Sequence, residues 1–258
     1  TDVTRSNNYS RPDYGYFGES RLNWNPTSKI STIFGVSARH FVVGKDYGSS
    51  DRYQYSNYAL YLQQVYRPVE KLSLTFGFRR DYITTYGYAS TPRVSAIYQA
   101  TRDLTFKFLL GRAFREPSAI ELFSQTQQRK PNASLTPEKL SSVEVGVAYR
   151  FTKDFYSSAQ AYYNAISDLI LQVQTTDSSI INNISPRNPW LQNQNVGRAN
   201  IFGIESESVW TVRKNISINF TWINFMKNFV NNFLFFTCFY HHIFQKHNII
   251  FIPIACFY

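Results

Sequence analysis

Residues 71–80 read Lys-Leu-Ser-Leu-Thr-Phe-Gly-Phe-Arg-Arg, with a large apolar side chain at every second position from Leu72 to Phe78. Successive side chains point to opposite faces of a β-strand, so this period predicts a strand with one apolar face and one small or polar face. Three other stretches show the same period clearly, and they begin at Asp103, Ser142 and Asn215. The repeated alternation predicts an all-β fold.

Weaker alternation fills most of the chain between these stretches, at residues 14–25, 29–39, 53–67, 92–100, 154–172 and 196–212. Together the segments make about ten strands, and several have the roughly 9–11 residues that a tilted strand needs to cross a bilayer. The small face carries Ser, Thr, Gly, Ala and single charges, which suits a wet lumen better than a packed sandwich core. We therefore predict an antiparallel transmembrane β-barrel, present here in part.

The composition agrees with a membrane barrel. Aromatic residues make up 17% of the 258 residues, while the mean hydropathy is slightly negative at -0.32. Membrane barrels need many aromatic residues for the girdles at both interfaces. No run reaches the roughly 18 apolar residues of a transmembrane helix, so a membrane protein of this sequence must cross with strands. The start at Thr1 shows no basic segment followed by an apolar run, so we expect no signal peptide in this chain.

The formal net charge is +10, which permits nucleic acid, anionic lipid or acidic ligands as partners. The basic residues are scattered, with no run longer than Arg79-Arg80 or Arg129-Lys130. No nucleic-acid motif accompanies them, so we expect no nucleic-acid binding. Neither cysteine, Cys238 nor Cys256, belongs to a zinc or redox spacing, and we expect no metal site and no cofactor.

The connections between the predicted strands alternate in length. Short turns are predicted at residues 25–28, 67–70, 100–103, 151–154 and 213–215. Longer polar loops are predicted at residues 41–52, 83–91, 113–139 and 173–194. Outer-membrane barrels have short turns on the periplasmic rim and long loops on the outer rim.

The alternation fails near residue 224. Residues 225–258 lack Gly and contain three of the four His residues, at 241, 242 and 247. We therefore divide the chain into a barrel portion, residues 1–224, and an unpatterned tail, residues 225–258, which would be translated out of frame or otherwise unrelated to the barrel. The alternative is a pair of degenerate strands.

Three motifs carry a resemblance to TonB-dependent outer-membrane receptors, the class that includes siderophore, colicin and cobalamin receptors. Motif 1 resembles Gly-x-Ala-Phe-Arg-x-Pro and consists of Gly111, Ala113, Phe114, Arg115 and Pro117. Motif 2 resembles Asn-x-x-Leu-x-Pro-Glu and consists of Asn132, Leu135, Pro137 and Glu138. Motif 3 resembles Asn-x-Gly-x-Ala-x-x-x-Gly-x-Glu and consists of Asn195, Gly197, Ala199, Gly203 and Glu205.

The resemblance implies the C-terminal part of a barrel of about 22 strands that is filled by an N-terminal plug. It implies uptake of a scarce ligand, such as a ferric siderophore or cobalamin, that is coupled to the TonB complex, and contact with outer-membrane lipid and lipopolysaccharide. It implies no enzymatic activity. With about ten strands, no plug and no TonB box found in the sequence, we expect that this chain alone does not close the family's barrel or receive energy from TonB.

Ligand contact in such a barrel belongs to aromatic and basic residues of the long loops, where cations attract an anionic chelate. The candidates are Tyr47, Arg52, Tyr86, Tyr88, Arg115, Arg129, Lys130, Arg187 and Trp190. For any single candidate, a solvated loop residue or a contact to lipopolysaccharide phosphate is the simpler interpretation. For the three motifs, a role in the architecture of the barrel rim is favoured over ligand contact.

Two alternatives keep the barrel but change the function. A small complete barrel could be a passive porin or an adhesin, but this alternative gives no reason for three motifs in order. An outer-membrane protease would use His40 with Asp46 and Asp51 to activate water. Residues 241, 242 and 247 could be drawn as a histidine metal site, but coincidence is the simpler explanation. We expect no catalytic residues.

Overall fold

The computed structural model describes residues 13–44, 52–175, 190–214, 216–229, 232–245 and 248–257. Within these ranges nearly all regular structure is β-strand, and no helix has the length and apolar character needed to cross a membrane. The elements are β1 (Tyr14–Thr27), β2 (Ile30–Val43), β3 (Tyr53–Val69), β4 (Leu72–Ile83), β5 (Gly87–Gln99), β6 (Leu104–Arg115), α1 (Ala119–Phe123), β7 (Arg129–Lys130), β8 (Glu138–Arg150), β9 (Phe155–Thr175), β10 (Trp190–Arg213), β11 (Ile216–Phe229), β12 (Asn232–Gln245) and β13 (Asn248–Phe257).

The described strands form one sheet of thirteen strands, in which each long strand pairs with the next long strand along the chain. The long strands are all antiparallel to their neighbours, and the path runs from β1 at one end to β13 at the other. Only β7, which is two residues long, lies off this path, and it pairs in parallel with the start of β10. The ten predicted strands correspond to β1–β6 and β8–β11, so the predicted antiparallel meander is confirmed.

Among the connections that the structure describes in full, the predicted alternation of short turns and long loops holds at all but one position. The described short turns, including 28–29, 70–71 and 151–154, lie on one rim, which we name the short-turn rim. The prediction of a long loop at residues 83–91 is wrong. The register of β4 and β5 continues to the pair Ile83 and Gly87, which leaves only a three-residue turn. Gly87 has a φ of 90°, a conformation that glycine adopts without steric cost and that permits this tight reversal.

The opposite rim, which we name the long-loop rim, carries the 116–137 connection between β6 and β8. The sequence predicted a loop there, and the structure adds α1 and β7 within it. The predicted loop at 173–194 is shorter than expected, because β9 extends to Thr175 and β10 begins at Trp190. The additional strand residues place Trp190 in the sheet rather than in a loop.

In the tail, the backbone continues the antiparallel order. β11 extends past residue 224 to Phe229, and β12 and β13 follow it. The backbone in this segment therefore follows the alternative of further strands. The division of the chain at residue 224 stays a prediction.

The strand register separates the two faces of the sheet. Residues directly opposite each other in antiparallel strands share a face. The face that contains Phe78 carries large apolar side chains in the middle of each long strand from β1 to β10, and we name it the outward face. Successive paired or neighbouring positions across it are Leu22, Phe34, Leu62, Phe78, Val94, Leu110, Val143, Tyr163 and Phe202. Large apolar side chains that stay exposed across a whole sheet face are typical of the lipid-facing side of a membrane barrel.

Aromatic side chains mark both margins of the outward face. Near the short-turn rim they are Trp24, Tyr66, Tyr98, Tyr149 and Trp210. Near the long-loop rim they are Tyr14, Tyr16, Tyr58, Tyr82 and Tyr88. Two aromatic margins with aliphatic residues and Phe between them reproduce the girdles that flank the hydrocarbon layer in outer-membrane barrels. The outward face therefore fits a bilayer.

Candidate functional site

The guanidinium of Arg115, from motif 1, joins two parts of the long-loop rim. Its Nε and Nη2 donate to both oxygens of Glu138 at 2.7 Å, and its Nη1 and Nη2 donate to Glu121 at 3.0 and 3.1 Å. Glu138 is the last residue of motif 2, and Glu121 lies in α1. Two carboxylates that each accept two hydrogen bonds hold the guanidinium in a fixed orientation. Arg115 is thus a structural brace.

The short helix α1 begins with a capping box, and its Glu121 is also one of the two carboxylates that bind Arg115. The Ser118 side chain accepts from the Glu121 backbone N–H, and the Glu121 carboxylate accepts from the Ser118 backbone N–H. Burial raises the pKa of Glu121, but the hydrogen bonds from Arg115 and Ser118 outweigh it, so the net pKa is lowered. The Glu121 side chain is therefore held as an anion between a cation and a helix N-terminus.

Motif 3 contacts motif 2 through Asn195. Its Oδ1 accepts from the Thr136 backbone N–H at 2.9 Å, and its Nδ2 donates to the carbonyls of Thr136 and Asp168 at 2.8 and 2.7 Å. Asn132, at the start of motif 2, donates from Nδ2 to the Asn193 carbonyl at 2.8 Å. The three motifs, which are far apart in sequence, thus form one hydrogen-bonded network on the long-loop rim.

A small apolar cluster lies under this network. Leu122, Phe123 and Leu135 are buried together, and the Tyr53 ring stacks on Phe123 with centroids 3.8 Å apart. Leu135 of motif 2 is 1% exposed, so this motif position is an anchor for the loop. The cluster ties the 116–137 loop to β3, which shows why a long loop over the rim can keep a fixed shape.

Different neighbours explain why each of the two glycines of motif 3 has no room for a side chain. Gly197 lies at a β-bulge between β9 and β10, and a Cβ there would lie 2.7 Å from the Leu169 Cβ. Gly203 lies under the ring of Tyr162, and a Cβ on residue 203 would overlap that ring. The bulge at Gly197 agrees with a role of motif 3 in the architecture of the barrel rim. At Gly203 the close approach is made by a side chain of the neighbouring strand.

A group of buried polar side chains lies where β3 and β4 reach the long-loop rim. Asn57 donates to the Glu116 carboxylate at 2.6 Å, and Asp81 is 1% exposed and paired with Arg79 at 2.8 Å. Burial, which outweighs the hydrogen bond from Asn57, raises the pKa of Glu116. Burial also raises the pKa of Tyr86, whose hydroxyl is buried and has no hydrogen-bond partner among the described residues. Of this group only Tyr86 is a candidate on sequence grounds. Asp81 lies two residues after Arg79 in β4, so the period of two places both side chains on the polar face and could have indicated their ion pair.

Three of the predicted ligand-binding residues come together where β7 pairs with β10. Lys130 Nζ lies 5.8 Å from the Trp190 ring centroid. With the Gln172 amide oxygen turned toward it, Arg129 donates to Gln172 at 3.1 and 3.2 Å. Trp190 is only 2% exposed, which limits direct contact with a ligand.

The remaining candidates are dispersed. Arg52 is exposed just before β3. Tyr88 lies on the outward face, where it pairs with Tyr82 and lies under the Arg80 guanidinium at 4.5 Å from the ring centroid. Its strand position follows from the tight 84–86 turn and directs it away from the inner face. Tyr47 and Arg187 lie outside the described residues.

The inner face has a basic depression of about 400 Å³ on β1–β5, and Arg112 of β6 also contributes to its lining. Its lining includes Arg21, Arg79 and Arg93, with Glu19 as the nearby carboxylate and Tyr61 donating to Glu19. The pairing of Arg79 with Asp81 cancels one positive charge, so Arg21 and Arg93 leave a net positive balance. Opposed charges and amides on the inner face are typical of a wet lumen that can contact an anionic solute.

His40, the histidine of the protease alternative, lies on the outward face and not on the inner face. His40 pairs with Ser56 across β2 and β3, and His40 Nδ1 lies 2.9 Å from Ser56 Oγ on the outward face. Asp46 and Asp51 lie outside the described residues. The position of His40 in the apolar, lipid-facing layer does not support a role in activating water at an outer rim.

An antiparallel sheet with an apolar outward face, two aromatic girdles and a braced long-loop rim defines the chain as part of an outer-membrane β-barrel. The family model described as TonB dependent receptor-like, beta-barrel matches residues 1–237. The chain belongs to this family. Its place is the bacterial outer membrane, and the family is one of transport receptors rather than enzymes.

The similar proteins agree with this assignment. The chain is 26% identical over 158 residues to the "Iron-regulated outer membrane virulence protein" of Vibrio cholerae, over 57% of this chain and 24% of that protein. It is similar to the siderophore receptor PirA from Pseudomonas aeruginosa, with a TM-score of 0.75, 16% identity, and coverage of 92% of this chain and 44% of that one. A mutant of the ferric enterobactin receptor PfeA from Pseudomonas aeruginosa gives a TM-score of 0.72, 14% identity, and coverage of 96% and 45%.

The copper transporter OprC is also similar, with a TM-score of 0.68, 16% identity, and coverage of 91% of this chain and 42% of that one. The chain therefore spans about a quarter of the curated relative and less than half of these structures. At these identities the structural likeness shows the shared fold.

Proposed function

We propose that this chain is part of an outer-membrane receptor that takes up a ferric siderophore or a similar anionic chelate, with energy supplied through TonB. The observation that carries the proposal is the convergence of the three family motifs into one hydrogen-bonded rim. A porin or adhesin barrel has no need for that network. The iron-regulated and siderophore-receptor relatives support iron chelates as the ligand class.

In this proposal the rim network gives the long loops a fixed base. Arg115 serves the brace, and three other basic candidates, Arg52, Arg129 and Lys130, contact the ligand. Tyr47 and Arg187 remain ligand-contact candidates in the loops on sequence grounds. The basic depression on the inner face then lies on the route of the ligand, where Arg21 and Arg93 attract its negative charge.

Radiolabelled iron uptake tests the proposal. Cells that lack the gene for this chain should lose uptake of at least one ferric siderophore, and loss of TonB should abolish the same uptake. An Arg93→Gln variant should raise the half-saturating ligand concentration about fivefold, which corresponds to the roughly 1 kcal/mol of a charge-assisted contact. Lys107→Gln is the matched control, because Lys107 lies on the inner face outside the basic depression. Uptake that persists without TonB would contradict the proposal and favour a passive pore.

A further inference from the structure

Four basic side chains lie on the outward face near the long-loop rim: Arg80, Arg112, Lys139 and Arg198. Arg112 is two strand positions beyond the apolar Leu110, and Lys139 is four positions before Val143. At about 3.3 Å per residue, these cations lie roughly 7–13 Å along the strands from the apolar belt. Charges just beyond the apolar belt lie at the level of lipid headgroups.

Three of these cations line one depression of about 860 Å³ between β5, β6, β8, β9 and β10. Arg112, Lys139 and Arg198 supply its positive charge, and the side chains of Ser90, Ser141, Ser167 and Asn200 supply hydrogen-bonding groups. Asp168 pairs with Lys139 at 2.9 Å and is the one carboxylate that the described residues place in an ion pair with any of the three. The depression therefore keeps a net positive charge.

The position of the depression decides what kind of anion can fill it. Its cations Arg112, Lys139 and Arg198 share the outward face with Leu110, Val143 and Phe202, so an occupant that extends toward the short-turn rim must lie on apolar surface. A lipid meets both conditions, because its phosphate can contact guanidinium groups while its acyl chains cover the belt. A soluble anion would leave the belt below it uncovered.

We propose that this depression is a binding site for a phosphorylated lipid of the outer leaflet. The phosphate contacts Arg112 and Arg198, Lys139 contributes a partly neutralised charge, and the Ser and Asn side chains hydrogen-bond the polar headgroup. The site rests on the outer-membrane position of the barrel and is independent of which chelate the receptor imports.

Lipid selectivity in vesicles tests the site. The assembled outer-membrane protein that contains this chain is reconstituted in phosphatidylcholine vesicles, and the relative binding of spin-labelled phosphatidic acid over phosphatidylcholine is measured. The double variant R112Q/R198Q should lose selectivity for phosphatidic acid, by about fivefold for each removed cation and roughly 25-fold together. The control R93Q/K107Q removes the same charge from the inner face and should retain the selectivity.

Asp168→Asn provides the opposite change without disturbing the backbone. Asp168 has a φ of 58°, which Asn adopts nearly as well, and the variant removes the negative charge beside Lys139. Selectivity for phosphatidic acid should rise about fivefold. Equal loss in the control variant, or no rise in D168N, would overturn the proposal.

Competition by inorganic phosphate separates the two sources of the anion. Excess inorganic phosphate should leave the selectivity for phosphatidic acid unchanged. Displacement of the lipid by inorganic phosphate would assign the depression to a free anion and would overturn the lipid assignment. Iron uptake measured in the same cells distinguishes the two proposals, because uptake that persists without TonB while lipid selectivity is intact contradicts only the proposed transport function. Lipid selectivity that persists in R112Q/R198Q contradicts only the lipid site.

Discussion

Replacement of Asn195 by Ala tests whether the three motifs hold the long-loop rim together. The side chain makes three hydrogen bonds to the backbone of Thr136 and Asp168. At about 1 kcal/mol net for each bond, their loss should weaken the rim by about 3 kcal/mol. Because about 1.4 kcal/mol corresponds to a tenfold change, opening of the loop base should become roughly 100-fold more frequent.

Hydrogen exchange of the assembled protein measures this effect directly. The Thr136 amide, which donates to Asn195, should lose about 100-fold in protection, while amides in the middle of β6 should be unchanged. Asn200→Ala is the matched control, because Asn200 lies on the same strand but accepts a single hydrogen bond, from Tyr163. Protection at Thr136 that falls less than about threefold in N195A would refute the structural role of the motif network.

Three further predictions concern the same rim. Arg115→Ala should destabilise the rim by on the order of 1 kcal/mol, a value discounted because the arginine is partly exposed. Arg115→Lys should restore only part of this stability. Samples of both variants are incubated at graded temperatures, and the temperature at which the gel band of the folded protein disappears measures the effect. Because the pKa of Glu121 is lowered in the folded protein, its contribution to the stability of the rim is present above the ordinary pKa of about 4.3 and is lost as the pH falls through the folded value. Proteolysis of the 116–137 loop should therefore accelerate on acidification, and E121Q should flatten that dependence; an unchanged pH profile in E121Q would show that other groups are responsible. Gly197→Ala should cost about 1–3 kcal/mol because a Cβ meets Leu169, whereas Gly18→Ala, with open space around it, should be neutral; equal unfolding temperatures would contradict the bulge argument.

The strands could be predicted from the sequence because the period of two is a local signal. Leu72, Leu74, Phe76 and Phe78 share one face in the structure as the alternation requires. The turn at 84–86 was not predictable in the same way. Tyr86, Gly87 and Tyr88 have a composition typical of a loop, and only the pairing of Ile83 with Gly87 shows that the strands continue to that point.

The candidate site was predicted in part. The motifs indicated a rim role, but the partners of Arg115 and Asn195 depend on contacts between residues up to 59 positions apart, which no local pattern encodes. Trp190 was placed in a loop because the surrounding residues are polar, whereas the pairing with Thr175 makes it the first residue of a strand. The outward cations were also missed, since Arg112 and Arg198 share a depression only after the strands pair.

A cysteine scan of β6 shows which face of the sheet contacts lipid and which faces the lumen. In the assembled protein with Cys238 and Cys256 replaced by Ser, single cysteines are introduced at each position from 105 to 110 and labelled with a water-soluble maleimide. The structure predicts that the inner-face positions Thr105, Lys107 and Leu109 react, while Phe106, Phe108 and Leu110 are protected by lipid. Reactivity without a period of two, or with the opposite phase, would contradict the assignment of this chain to a membrane-spanning barrel with its apolar face in the bilayer.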